Sequence, residues 1–502
     1  MNNERYSDLK NTDINLIPKD GPVTGSYSCT WWNQCSAASA LGLTGEALSP
    51  WRDALNCEAL FDREDLFHPV PSECRSNLIF LLDDGWDVPI GTAGSDNDRH
   101  FFGSVNPDKV KFARYGDTPV QRLKGISEAV KALGYAGVGL WISPQEYAEE
   151  EYKASSSEEY WSTRAGWCHE AGVLYWKVDW GLYDYDDGYR QLISECAHRC
   201  APGLLVEHAV VQKPLSHNHG DKEKFLSDRA ARVRRQMTFC DVNRTYDVLE
   251  PFDEVCTLQR IHELLLCADE EPAIPCRGLI NAENLYNICA ALGCNTGIMN
   301  YNEDAKACVL WQRLAPAFGI REGEYQCSEE SLTDSRFFAS EICEWAPCRA
   351  LTVEESAPAV MARGCPLPEV SSIGSYAPFV TASKNPKTGA YSVATIRRTV
   401  DPNPYMYFLA DVTVKDADVS APVGIFGIFN SLTVEFNAPL PENAKILCQD
   451  MLGKSAVDIT KLVEIKERSL TLDGKDMRYF GLRERGHNNK STPSIIIKIV
   501  EE

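Results

Sequence analysis

The chain has 502 residues, of which 44% are hydrophobic and 24% are charged, and its formal net charge is −22. This length exceeds that of one ordinary domain, and the composition is normal for a globular protein. Because so acidic a chain repels nucleic-acid phosphates and anionic lipids, we expect neither nucleic acid nor membrane as a partner.

The 19 cysteines include no CxxC pair, so we expect reduced thiols that pack as small apolar side chains. Cys196 and Cys200 lack a second pair, and His217 and His219 lack a third ligand nearby, so we predict no metal and no cofactor. The N-terminal segment lacks the apolar core of a signal peptide, and no apolar run reaches membrane-span length. These features predict a cytoplasmic protein and leave its oligomeric state unknown.

Short apolar segments alternate with amphipathic ones from residue 26 to about residue 345. This alternation predicts a catalytic (β/α)8 TIM barrel over 26–345, preceded by an extension over 1–25. A doubly wound sheet gives similar local patterns, but it usually carries a glycine-rich turn after its first strand, and none is visible here. The predicted strands are 27–31, 78–82, 137–142, 174–178, 204–207, 237–242, 274–280 and 296–301, and the clearest helices are 119–133 and 189–200.

After about residue 350 the pattern changes to short β-rich runs separated by Pro, Gly, Asn and Asp. These runs predict a C-terminal antiparallel β-sandwich domain over 350–502. The predicted strands are 392–397, 405–412, 424–429, 432–436, 445–447, 469–472 and 494–499.

Lys177 and Asp179 close the fourth predicted barrel strand. Residues two apart on a strand face the same side, so an ammonium and a carboxylate enter one pocket together. The ammonium favours the ionised carboxylate, which can act as a nucleophile towards a sugar carbon. The alternative is a buried strand with a structural ion pair.

Other polar and aromatic side chains follow neighbouring strands, at the end of such barrels where catalysis takes place. Each alone is explained by helix capping, a loop ion pair or core packing, but their joint occurrence favours a binding site. They are Asp83, Asp84 and Trp86 after strand two, Trp141 on strand three, Glu207 on strand five, and Asp241, Arg244 and Asp247 around strand six.

Together these segments resemble the α-galactosidase (melibiase) superfamily of retaining glycoside hydrolases. The resemblance covers about residues 25–345 and the C-terminal domain only in outline. It is carried by Cys29-Thr30-Trp31-Trp32-Asn33 as a Trp-containing first strand, by Asp83-Asp84-Gly85-Trp86, by Lys177-Val178-Asp179, by Arg244 to Asp247, and by the segments Asn281-Ala282-Glu283 and Ala290 to Gly293.

The resemblance implies a retaining enzyme that hydrolyses a terminal α-linked galactose or a similar sugar. Asp179 would form the covalent glycosyl-enzyme, and a second carboxyl group would serve as acid and then as base. The implied sugar-binding residues are Asp83, Asp84 and Lys177 for ring hydroxyls, Glu207 and Arg244 for the 2-hydroxyl, and Trp31 or Trp32 with Trp86 for the stacking face, with Trp141 near the rim.

Asp247 is the first candidate for the acid/base. It follows Arg244 by three residues, whereas the family usually has four, so Asp241 remains the second candidate. Two alternatives to hydrolysis of an α-galactoside also stay open. One is a transglycosylase or a glycosidase for a related sugar such as β-L-arabinopyranose, and the other is a catalytically silent carbohydrate-binding protein on the same fold.

Overall fold

The computed structural model describes residues 3–94, 102–147, 151–209, 231–245, 253–270, 278–333, 356–372, 377–397, 409–487 and 491–501. Over these ranges, no helix combines the length and the apolar character needed to cross a bilayer.

Eight parallel strands form a barrel in the first part of the chain, in the order β7-β6-β5-β4-β3-β2-β1-β8. β1 pairs with both β2 and β8, and a parallel bridge joins Asn281 to Asn295 at the remaining seam. The predicted (β/α)8 barrel is therefore confirmed. Its strands are β1 (Tyr27–Cys29), β2 (Ile79–Leu82), β3 (Gly137–Ile142), β4 (Tyr175–Val178), β5 (Leu205–Ala209), β6 (Val242–Arg244), β7 (Leu279–Asn281) and β8 (Gly297–Ile298).

Helices connect the strands, and several begin at a capping residue. Thr118 accepts a hydrogen bond from the Gln121 amide in a capping box, and Ser156 and Asp186 cap the next two long helices. The described helices are α1 (Trp31–Ala40), α2 (Ser49–Asp53), α3 (Glu64–Phe67), α4 (Ser72–Arg75), α5 (Pro119–Ala132), α6 (Ser157–Ala171), α7 (Asp187–Cys200), α8 (231–237), α9 (Asp253–Glu270), α10 (Tyr286–Leu292), α11 (Glu303–Gln312) and α12 (Gly474–Gly481).

Several predicted strands differ in length from the observed ones, such as 296–301, of which only Gly297–Ile298 forms β8, and two of the differences bear on the site. The first strand ends at Cys29, because Trp31 and Trp32 already belong to helix α1. The predicted strand over 237–242 is wrong for most of its length: residues 238–241 form the turn after α8, and β6 begins at Val242. Its apolar residues are buried by packing of that turn rather than by strand pairing.

The lower half of the barrel interior is a compact apolar layer. Alternate residues of the strands point inward, and six of the eight strands contribute one or two side chains to this layer. The cluster contains Tyr27, Cys29, Ile79, Leu81, Tyr175, Leu205, Val242, Leu279, Met299 and Ala317.

The C-terminal part of the chain contains two main β-sheets whose buried side chains share one core, and a separate antiparallel pair of strands, β10 and β11. The large sheet has the order β20-β19-β23-β17-β15-β14-β12-β9 and the small sheet β13-β16-β18-β22-β21. Most pairs are antiparallel as predicted, but β12–β14, β15–β17 and β16–β18 are parallel. The strands are β9 (Tyr325–Cys327), β10 (Ser331–Thr333), β11 (Ser356–Pro358), β12 (Val360–Arg363), β13 (Glu369–Ser372), β14 (Phe379–Lys384), β15 (Tyr391–Ile396), β16 (Ala410–Ala417), β17 (Val423–Phe426), β18 (Ser431–Phe436), β19 (Ala444–Asp450), β20 (Val457–Asp458), β21 (Glu464–Lys466), β22 (Ser469–Asp473) and β23 (Ser494–Glu501).

The N-terminal residues lie along the C-terminal domain. Asn11 forms a β-bridge with Val457, and Arg5 and Tyr6 both bond the Asp476 carboxylate. The domain boundaries given above stay predictions. Parts of two predicted strands, 274–277 and 405–408, lie outside the described residues.

Candidate active site

Asp179 follows β4 at the carboxyl end of the barrel, where its carboxylate is held on both sides. Oδ1 accepts a hydrogen bond from Arg244 Nη2 at 2.9 Å, and Oδ2 accepts one from Trp141 Nε1 at 2.9 Å. Arg190, on α7, donates to the Asp179 carbonyl at 2.7 Å and fixes the backbone. Burial alone would raise the pKa of Asp179, but Arg244, Lys177 and the Trp141 bond together lower it below its usual value.

Lys177 points into the same pocket, as its spacing from Asp179 predicts. Its Nζ lies 3.0 Å from Asp83 Oδ2 and 3.4 Å from Glu283 Oε1. Burial lowers the pKa of Lys177, but Asp83 and Glu283 outweigh this effect and raise it above its usual value. The ammonium is therefore charged and bridges two carboxylates.

The adjacent carboxylates after β2 have different partners. Asp83 faces Lys177 and also accepts a bond from the Cys29 thiol at 3.1 Å. Asp84 accepts two hydrogen bonds from the Arg52 guanidinium, one from Nε at 3.1 Å and one from Nη2 at 2.8 Å. Gly85 has φ +117°, and a Cβ there would come within 2.7 Å of Arg52 Cα, so this close approach requires glycine.

Glu207 is fully buried on β5, in register with Lys177 on the neighbouring strand β4. Its Oε2 accepts hydrogen bonds from Tyr175 Oη at 2.7 Å and Asn281 Nδ2 at 2.6 Å, and its Oε1 lies 3.4 Å from Arg244 Nε. Burial raises the pKa of Glu207 to about 7, despite the opposing effect of Arg244. These protein groups occupy its carboxylate, and the role of Glu207 in binding a 2-hydroxyl stays a prediction.

Glu283 is a site residue that the analysis of strand ends did not single out. Its Oε2 lies 3.3 Å from Arg244 Nη1, and its Oε1 accepts a bond from Tyr27 Oη at 2.5 Å. Glu283 follows Asn281 by two residues, the spacing that brings Lys177 and Asp179 together. The same spacing in the sequence therefore indicates that Glu283 is also a residue of the pocket.

Arg52 and Tyr27 were also missed. Arg52 lies on a short helix 32 residues before its carboxylate partner, and Tyr27 reads as an ordinary strand residue. No local pattern marks either residue as part of a polar site.

The predicted tryptophans occupy different depths. Trp86 is fully buried and donates to the Trp141 carbonyl, Trp141 is 1% exposed, and Trp31 is half-buried. Trp32 is 43% exposed on α1. Trp180, which directly follows Asp179, is half-buried with its ring centroid 5.6 Å from that of Trp141. Trp180 is thus a partly exposed ring next to Asp179 that packs on Trp141, the donor to the Asp179 carboxylate.

Of the two acid/base candidates, the structure describes only Asp241. Asp241 precedes β6, where its Oδ2 accepts a bond from the Val206 amide and lies 2.9 Å from His198 Nε2. The structure therefore places Asp241 at the amino end of the strand whose carboxyl end carries Arg244. Asp247 lies outside the described residues, as do His217 and His219.

The described residues contain no group of three or more His, Cys, Asp or Glu side chains arranged to hold a metal ion. What they do contain is an ionised, partly exposed carboxylate set among cations and hydrogen-bond donors. The Asp179 side chain is 12% exposed, against 5% for Asp83, 6% for Glu283 and 0% for Glu207. Asp179 is thus the most accessible of these four carboxylates.

No protein-family profile and no curated protein sequence matches the chain. Its structure is similar to that of α-galactosidase I from Mortierella vinacea, with TM-score 0.38 and 9% identity over 96% of this chain and 98% of the other. It is also similar to a GH27 β-L-arabinopyranosidase from Geobacillus stearothermophilus (TM-score 0.39, 8% identity, 95% and 96% covered) and to the α-galactosidase of Saccharomyces cerevisiae with raffinose (0.38, 10%, 92% and 99%). At these scores and identities the similarity carries no argument about activity.

Proposed function

We propose that the protein is a retaining α-glycoside hydrolase of α-galactosidase type. The observation that supports this most strongly is Asp179. Its carboxylate is ionised, partly accessible, and fixed at the carboxyl end of a barrel strand by Arg244 and Trp141. A retaining glycosidase needs such a carboxylate as its nucleophile.

In the proposed reaction, Asp179 attacks the anomeric carbon of an α-linked sugar while an acid protonates the departing oxygen. Water then attacks the glycosyl-enzyme, and the same acid, now a base, removes a proton from that water. Asp247 remains our first candidate for this second group, because the carboxyl end of β6 presents Arg244 directly to Asp179.

The surrounding charges suit such a reaction. A sugar that loses its leaving group develops positive charge, which nearby carboxylates stabilise. Asp83 and Lys177 offer an acceptor and donors for ring hydroxyls at one side of Asp179. We propose a small neutral glycoside as the substrate, because a pocket with this excess of carboxylates repels an anionic sugar.

The test is chemical rescue of Asp179→Ala with aryl α-galactosides. We expect turnover to fall by at least about 10⁴-fold, as for loss of other covalent nucleophiles. Added azide should restore part of the rate and yield the β-glycosyl azide, because azide attacks from the face that the carboxylate occupied. The matched control, Asp411→Ala in β16 of the C-terminal domain, should keep wild-type turnover without azide.

The same measurements separate the alternatives. Cleavage of an aryl β-L-arabinopyranoside but not of the galactoside would reassign the sugar, and products longer than the substrate would indicate transfer. Binding of sugar without turnover of any aryl glycoside by the wild-type protein would reject the proposed enzyme and favour the binding protein.

A further inference from the structure

Tyr27 stands between two acidic side chains inside the barrel. Its Oη donates to Glu283 Oε1 at 2.5 Å and lies 3.4 Å from Glu207 Oε1. The same oxygen accepts a bond from Asn281 Nδ2 at 3.0 Å. Burial and the neighbouring Glu207 raise the pKa of Tyr27 well above its usual value, so its hydroxyl keeps a proton to donate.

The donors around Glu207 decide where a proton on this carboxyl group would lie. Oε2 already accepts two short bonds, from Tyr175 and Asn281. Oε1 faces the Tyr27 oxygen, which can accept one further bond. A proton on Glu207 therefore belongs on Oε1, directed at Tyr27.

The ion pairs in the described part of the pocket favour such a proton. Four buried carboxylates share the two cations that pair with their side chains, because Asp84 is already paired with Arg52 and Arg190 bonds Asp179 only at its backbone carbonyl. Isolated buried charge is costly, and the group with the least favourable surroundings is protonated first. The four carboxylates are Asp83, Asp179, Glu207 and Glu283, and the two cations are Lys177 and Arg244.

Glu207 has the surroundings that favour protonation most. It is 0% exposed and near Glu283, and burial raises its pKa to about 7. The titratable groups that face it are Tyr27 from β1, Tyr175 and Lys177 from β4, Arg244 from β6 and Glu283 after β7.

We propose that Tyr27 links Glu207 and Glu283 into one unit that holds a single shared proton. In one form the proton is on Glu207, and Tyr27 donates to the Glu283 carboxylate. In the other form Glu207 has passed its proton to the Tyr27 oxygen, and the phenolic proton has moved to Glu283. The number of protons and the total charge are the same in both forms.

The shared proton sets the electrostatics of the pocket, and its effect on turnover rests on the proposed function. With the proton, three carboxylates face two cations and leave one negative charge. That matches the single positive charge of an oxocarbenium-like transition state. Without it, a second negative charge competes with Asp179 for Arg244. Tyr27 and Glu207 are thus positioning residues.

The experiment is a pH titration of the protein labelled with ¹³C at the glutamate carboxyl carbon, followed by NMR without substrate. Glu207→Gln and Glu283→Gln assign the two resonances. In the wild-type protein we expect both resonances to move in one common step near neutral pH, because strongly coupled groups titrate as a unit. Glu283→Gln should lower the midpoint of Glu207 by about one pH unit or more, because a neighbouring negative charge is lost.

The decisive pair of variants is Tyr27→Phe and Tyr175→Phe. Both remove one hydroxyl near Glu207, but Tyr175 Oη bonds Glu207 without bridging to Glu283. Tyr27→Phe should split the common step into two separate midpoints, whereas Tyr175→Phe should keep the two resonances moving together. Equal behaviour of the two variants would overturn the link.

The wild-type titration already tests whether the proton is present, even if a variant fails to fold. Absence of any glutamate carboxyl step between about pH 5 and 9 would overturn the inference. Because the resonances are read without substrate, a common step in a protein that cleaves no glycoside would retain the shared proton and reject only the proposed function. If the protein is a glycosidase, a limb of its pH–rate profile should move with the NMR midpoint in Glu283→Gln.

Discussion

The lower and upper halves of the barrel interior use the same strands and differ in chemistry. On β4, Tyr175 lies in the apolar layer and Lys177 in the charged pocket, and on β5 Leu205 and Glu207 divide in the same way. A step of two residues, about 6.6 Å along a strand, therefore separates the side chains of the apolar layer from those of the charged pocket. The apolar layer can hold the strands in place while the upper layer concentrates charge that would destabilise a protein by itself.

The largest effect is expected from removing Lys177, a central cation of the upper layer. Lys177→Met leaves Asp83 and Glu283 without their shared ammonium, so we expect a loss of about 3–5 kcal/mol in unfolding free energy. Turnover should fall at least about 100-fold. Urea unfolding and steady-state kinetics measure the two effects.

The matched control for that variant is Lys415→Met. Lys415 pairs with Glu369 on the surface, where the two side chains are 38% and 66% exposed. Lys415→Met should change the free energy of unfolding far less than Lys177→Met, because a solvent-exposed ion pair contributes little to stability. If both variants lost the same unfolding free energy, the buried ammonium of Lys177 would contribute no more to stability than a surface lysine.

A change at an aliphatic residue of the lower layer, unlike one at Tyr27 or Tyr175, should affect stability and leave turnover nearly unchanged. Ile79 is 1% exposed in the apolar cluster, so Ile79→Ala should cost about 2–5 kcal/mol and Ile79→Val about 0.5–1.5 kcal/mol. The kcat of the folded variants should stay within a few-fold of wild type. A large drop in kcat for the valine variant would mean that the two layers are not separable.

Glu207→Gln tests how the stability of the protein depends on pH. The pKa of Glu207 rises from its ordinary value near 4.3 to about 7 in the folded protein, so the folded state binds more protons between these values. Wild-type stability should then fall as pH rises through this window, by up to about 4 kcal/mol. Gln cannot titrate, so the variant should gain stability relative to wild type from pH 5 to 8, as measured by urea unfolding. A constant difference across that range would contradict the raised pKa.

The smallest effect is expected at Asp241. Its carboxylate bonds the Val206 amide and His198 at the amino end of the barrel. Asp241→Asn keeps the shape and weakens these bonds, so we expect a loss of about 1 kcal/mol and turnover within about two-fold of wild type. A loss of 100-fold or more would instead make Asp241 the acid/base.

Much of the fold and part of the site followed from two periodicities. Apolar strands alternating with amphipathic helices predicted the barrel, and the placement of Lys177 and Asp179 in one pocket followed from the period of two along a strand. The strand over 237–242 was wrong because buried residues of a turn and residues of a strand look alike in sequence. Periodicity reports burial, and only pairing defines a strand.

The remaining site residues could not be predicted because their partners are distant in the chain. Arg52 meets Asp84 through the packing of α2 against the loop after β2, and Tyr27 meets Glu207 across 180 residues. Such contacts depend on barrel closure, which local patterns do not encode. Glu283 is the exception, because its spacing from Asn281 repeats that of Lys177 and Asp179.

The contact of Asn11 with Val457 has a consequence for how the chain is made. A ribosome adds about 5–20 residues per second, so Asn11 is synthesised roughly 20–90 s before Val457, its partner in the β-bridge. Barrel closure imposes a shorter wait, because β1 pairs with β8 some 270 residues later. We therefore expect assembly to finish only after most of the chain has left the ribosome, with the exposed edge of β1 needing protection from aggregation until then.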